Sequence, residues 1–152
     1  MRYPVLALGW VMTLMSCAES VKHDEFLAGK RAVEFAQVAF VKRDVERAYA
    51  LLSDGAKSYV PFEKFKDTLL RMHPSLHPTS VTATEYEPMP GEKALYIYIT
   101  GETSGEPLQY TLTMLGTAAT DYKVSRFIRG NSSYLPSTPE KKKFSKPIRA
   151  QP

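Results

Sequence analysis

Chemistry in this chain would have to come from a small set of side chains, and the histidines come first. There are three, His23, His73 and His77. The four-residue spacing of His73 and His77 would place two metal ligands on one helix face, but Pro74 lies between them and breaks the helix that would align them. No cysteine or acidic third ligand stands nearby, so both are expected in a solvated loop and no metal is assigned. His23 falls in a polar stretch ahead of the first periodic apolar segment.

A general base has to reach a bound substrate from inside a pocket. Two polar residues share the parity of apolar strand neighbours: Glu85 with Val81 and Ala83, and Arg126 with Val124 and Ile128. Together with Tyr49 and Tyr110 they make a candidate ligand-binding set at the mouth of a pocket. Two readings stay open. Either Arg126 and Glu85 line that pocket, or a bulge turns Arg126 outward and brings Phe127 inside, with Glu85 on a solvated edge. Neither a Gly-x-Ser-x-Gly elbow nor a phosphate-cradling glycine loop occurs. No catalytic residue and no cofactor is assigned.

The elements that would position these groups follow from hydrophobic periodicity. Phe26, Leu27, Val33, Ala36, Phe40 and Val41 recur at helical spacing behind Asp24, which can cap the helix. Asp44 can cap a second helix with Val45, Ala48, Tyr49, Leu51 and Leu52 as its stripe, ending near Ser53-Asp54-Gly55. Pro61 opens a third over Phe62, Phe65, Leu69, Leu70 and Met72. After Pro78 the period changes to alternation over 81–87, 94–100, 108–115 and 122–128, with turn-forming residues between. Leu95, Ile97 and Ile99 then point to one face, and Tyr96, Tyr98 and Thr100 to the other. The expected fold class is α+β, with three N-terminal helices packed on a curved, cone-like, four-stranded antiparallel sheet.

That order, over about 24–130, resembles the nuclear transport factor 2-like superfamily. The likeness is carried by 32–40, by 44–54 with Ala48-Tyr49-Leu51-Leu52, by 62–72, and by the final strand Tyr122-Lys123-Val124-Ser125-Arg126-Phe127. The resemblance implies a helical half packed into a bent sheet. The superfamily includes isomerases and dehydratases with a carboxylate or histidine in the cone, beside noncatalytic ligand-binding and assembly domains, so fold alone does not select among them.

The chain has 152 residues, 43% hydrophobic and 24% charged, which suits a single globular domain and excludes collagen-like, disordered and multi-span membrane classes. After Arg2, residues 5–15 carry no charge, a length that suits a secretory signal and falls short of the about 20 residues a membrane span requires. Leu14-Met15-Ser16-Cys17 resembles the lipobox of bacterial lipoproteins. The resemblance implies cleavage before Cys17, a diacylglycerol on its sulfur and a fatty acyl group such as palmitate on its new amine. Cys17 is the only cysteine, so no intramolecular disulfide competes. Ser16 and Ala18 also satisfy the small-x-small rule for ordinary cleavage after Ala18.

The expected organisation is thus a signal peptide at 1–16, a lipidated cysteine and tether at 17–23, a domain at 24–130 and a basic, proline-containing disordered tail at 131–152. The tail holds Lys141, Lys142, Lys143, Lys146 and Arg149. These five and Arg2 supply six of the 20 basic residues, and Glu140 one of the 16 acids, so the +4 net charge belongs to the ends and the domain is nearly neutral. Tail contact with anionic lipid or a cell-wall polymer and a merely solvated tail both remain open; no nucleic-acid partner is expected. The functional expectation is an exported lipoprotein of the cell envelope, held to the membrane by its N-terminal lipid, whose noncatalytic domain takes a small apolar ligand or a protein partner. Its rivals are an isomerase or lyase with a pocket carboxylate, and a dimeric assembly module joined through Tyr96, Tyr98 and Thr111.

Overall fold

A computed structural model of the chain describes residues 20–130 and 141–150. The expected signal segment 1–16, Cys17 and the tail residues 131–140 lie outside the described residues. Helix α1, Glu25–Ala36, begins where the Asp24 side chain accepts a hydrogen bond from the Leu27 N–H at 2.9 Å. Its buried side is built mostly from Ala28, Gly29, Ala32, Val33 and Ala36, small residues that let the helix approach the sheet. The helix runs on through a π turn, Gln37–Val41, closed by Lys42 N–H donating to Gln37 O at 2.9 Å. The wider turn brings Phe40 onto the same side as Phe35, five residues earlier, with the rings edge-to-face at 5.8 Å.

Arg43, at a φ of 57°, turns the chain, and the Asp44 side chain caps α2, Val45–Ala50. The expected second helix ends earlier than Leu52, and a further short helix, not expected from sequence, follows it. Leu52 forms a parallel bridge with Val124, and Ser53 N–H donates to Val124 O at 2.8 Å. Ser53 Oγ then accepts from Ala56 N–H at 3.1 Å and starts α3, Asp54–Tyr59. The extended stretch between α2 and α3 thereby satisfies the edge of the sheet. Pro61 precedes α4, Phe62–Met72.

Five strands follow: β1 Ser80–Pro88, β2 Ala94–Glu102, β3 Leu108–Leu115, β4 Lys123–Arg129 and β5 Lys142–Arg149. They form one antiparallel sheet in the order β4-β3-β2-β1-β5. The α+β class holds, with four α-helices and five strands among the described residues in place of three and four. The fifth strand corrects the expectation of a disordered tail. Lysines dominate its composition, yet Phe144 packs on Tyr86 at 4.8 Å between ring centroids and Ile148 is buried. Gly29 makes room for both: a Cβ there would overlap Ile148 Cδ1 and stand 2.9 Å from Phe144 Cζ. Pro147 is tolerated because β5 is an edge strand, where a missing N–H leaves no ladder bond unmade.

Two bulges set the faces. In β1 the pairing shifts between Ala83 and Glu85. On β4, Met114 pairs with Val124 but Thr113 with Arg126, leaving Ser125 as the extra residue. Beyond each bulge the parity of the strand is reversed. Between helices and sheet lies a core of Phe35, Phe40, Phe65, Leu69, Leu95, Ile97, Ile99, Tyr110 and Leu112, with Phe127 packed 5.3 Å from Phe35 and 5.7 Å from Phe65.

Candidate functional site

The bulges decide where the four candidate pocket residues fall. Phe127 registers with Leu112, Ile97 and Tyr86, whereas Arg126 registers with Thr113, Tyr96 and Glu87, and Glu85 with Tyr98 and Thr111. Arg126 and Glu85 therefore belong to the sheet face turned away from the helices; Arg126 is exposed and Glu85 half-buried. Tyr110 lies on the opposite face, stacked on Phe40 at 4.5 Å. Tyr49 sits on α2, donating its hydroxyl to Val60 O at 3.1 Å and packing against Phe62 and Phe65. The set is dispersed, and aromatic side chains fill the space it was expected to line.

The buried acid of the sheet is Glu87, which has the same parity as Glu85 on the face turned away from the helices and was not among the expected site residues. It is 1% exposed, and the Tyr98 hydroxyl donates to its Oε2 at 2.6 Å. Tyr96, Tyr98 and Thr111, expected as an exposed dimer face, are buried within the single chain; Thr111 Oγ1 donates to Gly130 O at 2.9 Å. Lys141 places its Nζ 4.0 Å from the centre of the Tyr98 ring.

His73 is not solvated either. Its ring is 5% exposed, lies 5.3 Å from Phe40, and its Nε2 is paired with the Tyr110 hydroxyl at 2.7 Å. Burial, then the positive charges of Arg129, Arg43 and His77, lower its pKa to about 4, and burial raises that of Tyr110 to about 12. At neutral pH both are uncharged, a polar pair closing one end of an apolar core. His77 is exposed, with Nδ1 near Pro78 O, and the two histidines form no metal site; among the described residues no cluster of three or more His, Cys, Asp or Glu could hold an ion.

One feature with ligand-binding shape is external. Along the outer flank of α1, beside the end of β5, runs a groove of about 540 Å³. Its floor is Val33, Val38 and Ile148, buried residues of the core, and Phe26 stands at one end, 50% exposed. Lys30, Lys42, Arg47 and Arg149 line it, with Glu34 as the single acid. Glu34 is already engaged by Arg31 at 3.1 Å, while none of the four cations forms an ion pair among the described residues. Lys30 lies over the Phe26 ring at 4.8 Å. The arrangement, an apolar strip bordered by unpaired cations, suits an elongated anion with an apolar body.

Of the expected tail cations, Arg149 thus joins a concave site, whereas Lys142, Lys143 and Lys146 project from β5 into solvent. Sequence reasoning missed Lys30, Lys42 and Arg47 because each reads as the wet side of an amphipathic helix. The available signal was Phe26 with Lys30 one turn later, an apolar and a cationic residue sharing the outer face. Comparison with known protein families, curated proteins and solved structures finds no match.

Proposed function

We propose that this chain is an exported lipoprotein, acylated at Cys17 and held to the membrane of the bacterial cell envelope, whose cone-like domain of the nuclear transport factor 2-like type binds without catalysis. The observation that carries the reading is the packing of the interior. Phe35, Phe40, Phe65 and Phe127 occupy the place where an enzyme of that superfamily would admit substrate, and concavity and unpaired charge are found together on the outside, between α1 and β5. The ligand this favours is an anionic amphiphile or a partner presenting one, and the cations of β5 extend the same electrostatic preference along the edge of the sheet.

Two measurements test it. Growth with an alkyne-tagged fatty acid should label the wild-type chain and leave Cys17→Ala unlabelled; equal labelling of both refutes acylation at this site. Titration with dodecyl phosphate below its micelle concentration should shift the amide resonances of Lys30, Val38 and Ile148, and the Lys42→Glu/Arg149→Glu variant should lose that response. Shifts centred on Tyr110 and Leu112 would instead place the ligand inside the domain and overturn the external site.

A further inference from the structure

The chain just after the expected anchor is fastened to one end of the sheet. Ala118 N–H donates to Lys22 O at 2.8 Å, and Asp24 N–H donates to the Tyr122 hydroxyl at 2.9 Å. His23 lies with Nδ1 3.3 Å from that hydroxyl and Nε2 3.1 Å from Glu92 O. Tyr122 is itself buried, and Asp121 beside it is held by Arg31 at 2.8 Å. These contacts join 22–24 to the β1–β2 turn and to the β3–β4 loop, the two connections at the same end of the sheet.

A lipid on Cys17 would therefore be separated from a fixed point, Lys22, by only five residues, which reach at most about 17 Å when extended. The same end carries an open concavity of about 780 Å³, lined by Lys57, Lys93, Leu115, Ala119 and Lys123 among others. The three lysines are brought together by register: Ala94 pairs with Leu115, Leu115 with Lys123, and Gly116 N–H donates to Lys93 O at 2.9 Å, while Lys57 arrives on α3. Leu115, between them, is 40% exposed. Of the acids lining the concavity, Asp121 is bound to Arg31, leaving Asp54. The far end of the sheet, where β2 meets β3, has no such lysine cluster: Glu102 and Glu106 there stand beside Arg149 and Arg129.

We infer that the Lys57–Lys93–Lys123 end is the membrane-facing surface of the domain, seated on anionic lipid headgroups with Leu115 at its centre. The inference rests on the anchoring reading, because the tether is what holds this end within a Debye length or two of the bilayer, where surface charge is felt. Phosphate of the headgroups meets the lysines, and the far end, where acids and arginines are mixed, points away into solvent. The clasp at Tyr122 converts a flexible attachment into a fixed orientation.

Full-length acylated protein, reconstituted in phosphatidylglycerol-containing vesicles, tests this with a fluorophore on Ala119→Cys or on Ser104→Cys at the far end. With Cys17 acylated, the introduced cysteine carries the free thiol. The Ala119 label should be shielded from a water-soluble quencher and the Ser104 label fully accessible. Shielding should weaken about fivefold for each lysine charge removed, so that Lys93→Ala/Lys123→Ala, and separately vesicles of phosphatidylcholine alone, bring the Ala119 label close to the accessibility of Ser104. Equal quenching of the two labels on anionic vesicles overturns the orientation, and shielding that ignores both the lysines and the lipid charge overturns the headgroup contact. Mass spectrometry of the N-terminal peptide separates these results from failure of the underlying reading: an unmodified Cys17 removes the anchor and the inference with it, whereas an acylated Cys17 with equal quenching removes the inference alone.

Discussion

Acidification probes the packed interior through His73. The ring is buried against Phe40 and paired with Tyr110 at 2.7 Å, and its pKa is lowered from 6.5 to about 4, first by burial and then by Arg129, Arg43 and His77. Between those two values the unfolded chain binds a proton that the folded ring refuses. Stability contributed by the neutral ring is therefore complete above about pH 6.5 and is lost as pH falls toward 4. The full shift corresponds to at most about 3 kcal/mol, of which the linkage relation assigns about 2 kcal/mol to the interval from pH 7 to pH 5. For a domain of this size that lowers Tm by roughly 5–10 °C. Urea unfolding followed by far-UV circular dichroism at both pH values measures it, on the wild type and on His73→Phe/Tyr110→Phe. The double variant removes the titrating ring together with the hydroxyl that would otherwise be left buried and unpaired. Carboxylates contribute acid lability to both proteins, so the difference between them isolates His73. The variant should lose about 2 kcal/mol less over that interval. Equal losses, or an NMR titration that places His73 near 6.5, would refute the buried, neutral assignment.

Two further substitutions examine the contacts that position the anchor end and the last strand. At Gly116, with φ of +151°, a Cβ would stand 2.6 Å from the backbone oxygen of Asp121 and 3.1 Å from Tyr122 Cα; Gly116→Ala should destabilise by about 1–3 kcal/mol and release the amides of Ala118 and Asp24 to solvent exchange, and an unchanged Tm with intact protection contradicts the clasp. Gly29→Leu would force its side chain into Phe144 and Ile148; the expected result is an overpacking loss of about 1–3 kcal/mol, with faster hydrogen exchange confined to β5 and α1, and uniform acceleration across β2 and β3 would show that β5 is not a separable edge.

How far the fold could be read from the sequence depended on whether a local pattern met a competing tertiary demand. The helices announced by Asp24, Asp44 and Pro61 begin where those residues predict, because a side-chain cap or a fixed φ acts within one turn and needs no distant partner. The second helix stops at Ala50, short of the expected Leu52, because Leu52 and Ser53 meet the edge of β4, a contact between residues about 70 apart that no window of sequence contains, and the short α3 that follows was not expected. The four expected strands appear because alternation is local, but the faces of β1 beyond Ala83 and of β4 from Arg126 onward depend on a bulge that local alternation does not fix, since one extra residue reverses every later assignment. The structure takes the bulge alternative for Arg126: it turns outward and Phe127 joins the core. Glu85 does not line a pocket for the same reason, and Glu87, two positions on and on the same outer face, is the acid that is buried.

The last strand shows why composition misleads at a chain end. Three lysines and an arginine, with one proline, make up most of Lys142–Arg149, and such a stretch lacks the apolar content to fold by itself. It folds because the edge of β1 offers unpaired backbone and because Gly29, far away in sequence, leaves space for Phe144 and Ile148. Two apolar side chains suffice when the receiving surface already exists. That addition also relocates the charge. Cations that would act as a diffuse cloud on a loose tail are held in register beside α1, where Arg149 meets Lys30, Lys42 and Arg47 across one groove. Fixed spacing turns a nonspecific attraction to any anionic surface into a preference for an anion of matching length and apolar width, and only the folded edge provides it. Loosening β5 through Gly29 should therefore weaken groove binding while leaving the overall charge of the molecule untouched, which separates a shaped site from simple electrostatics.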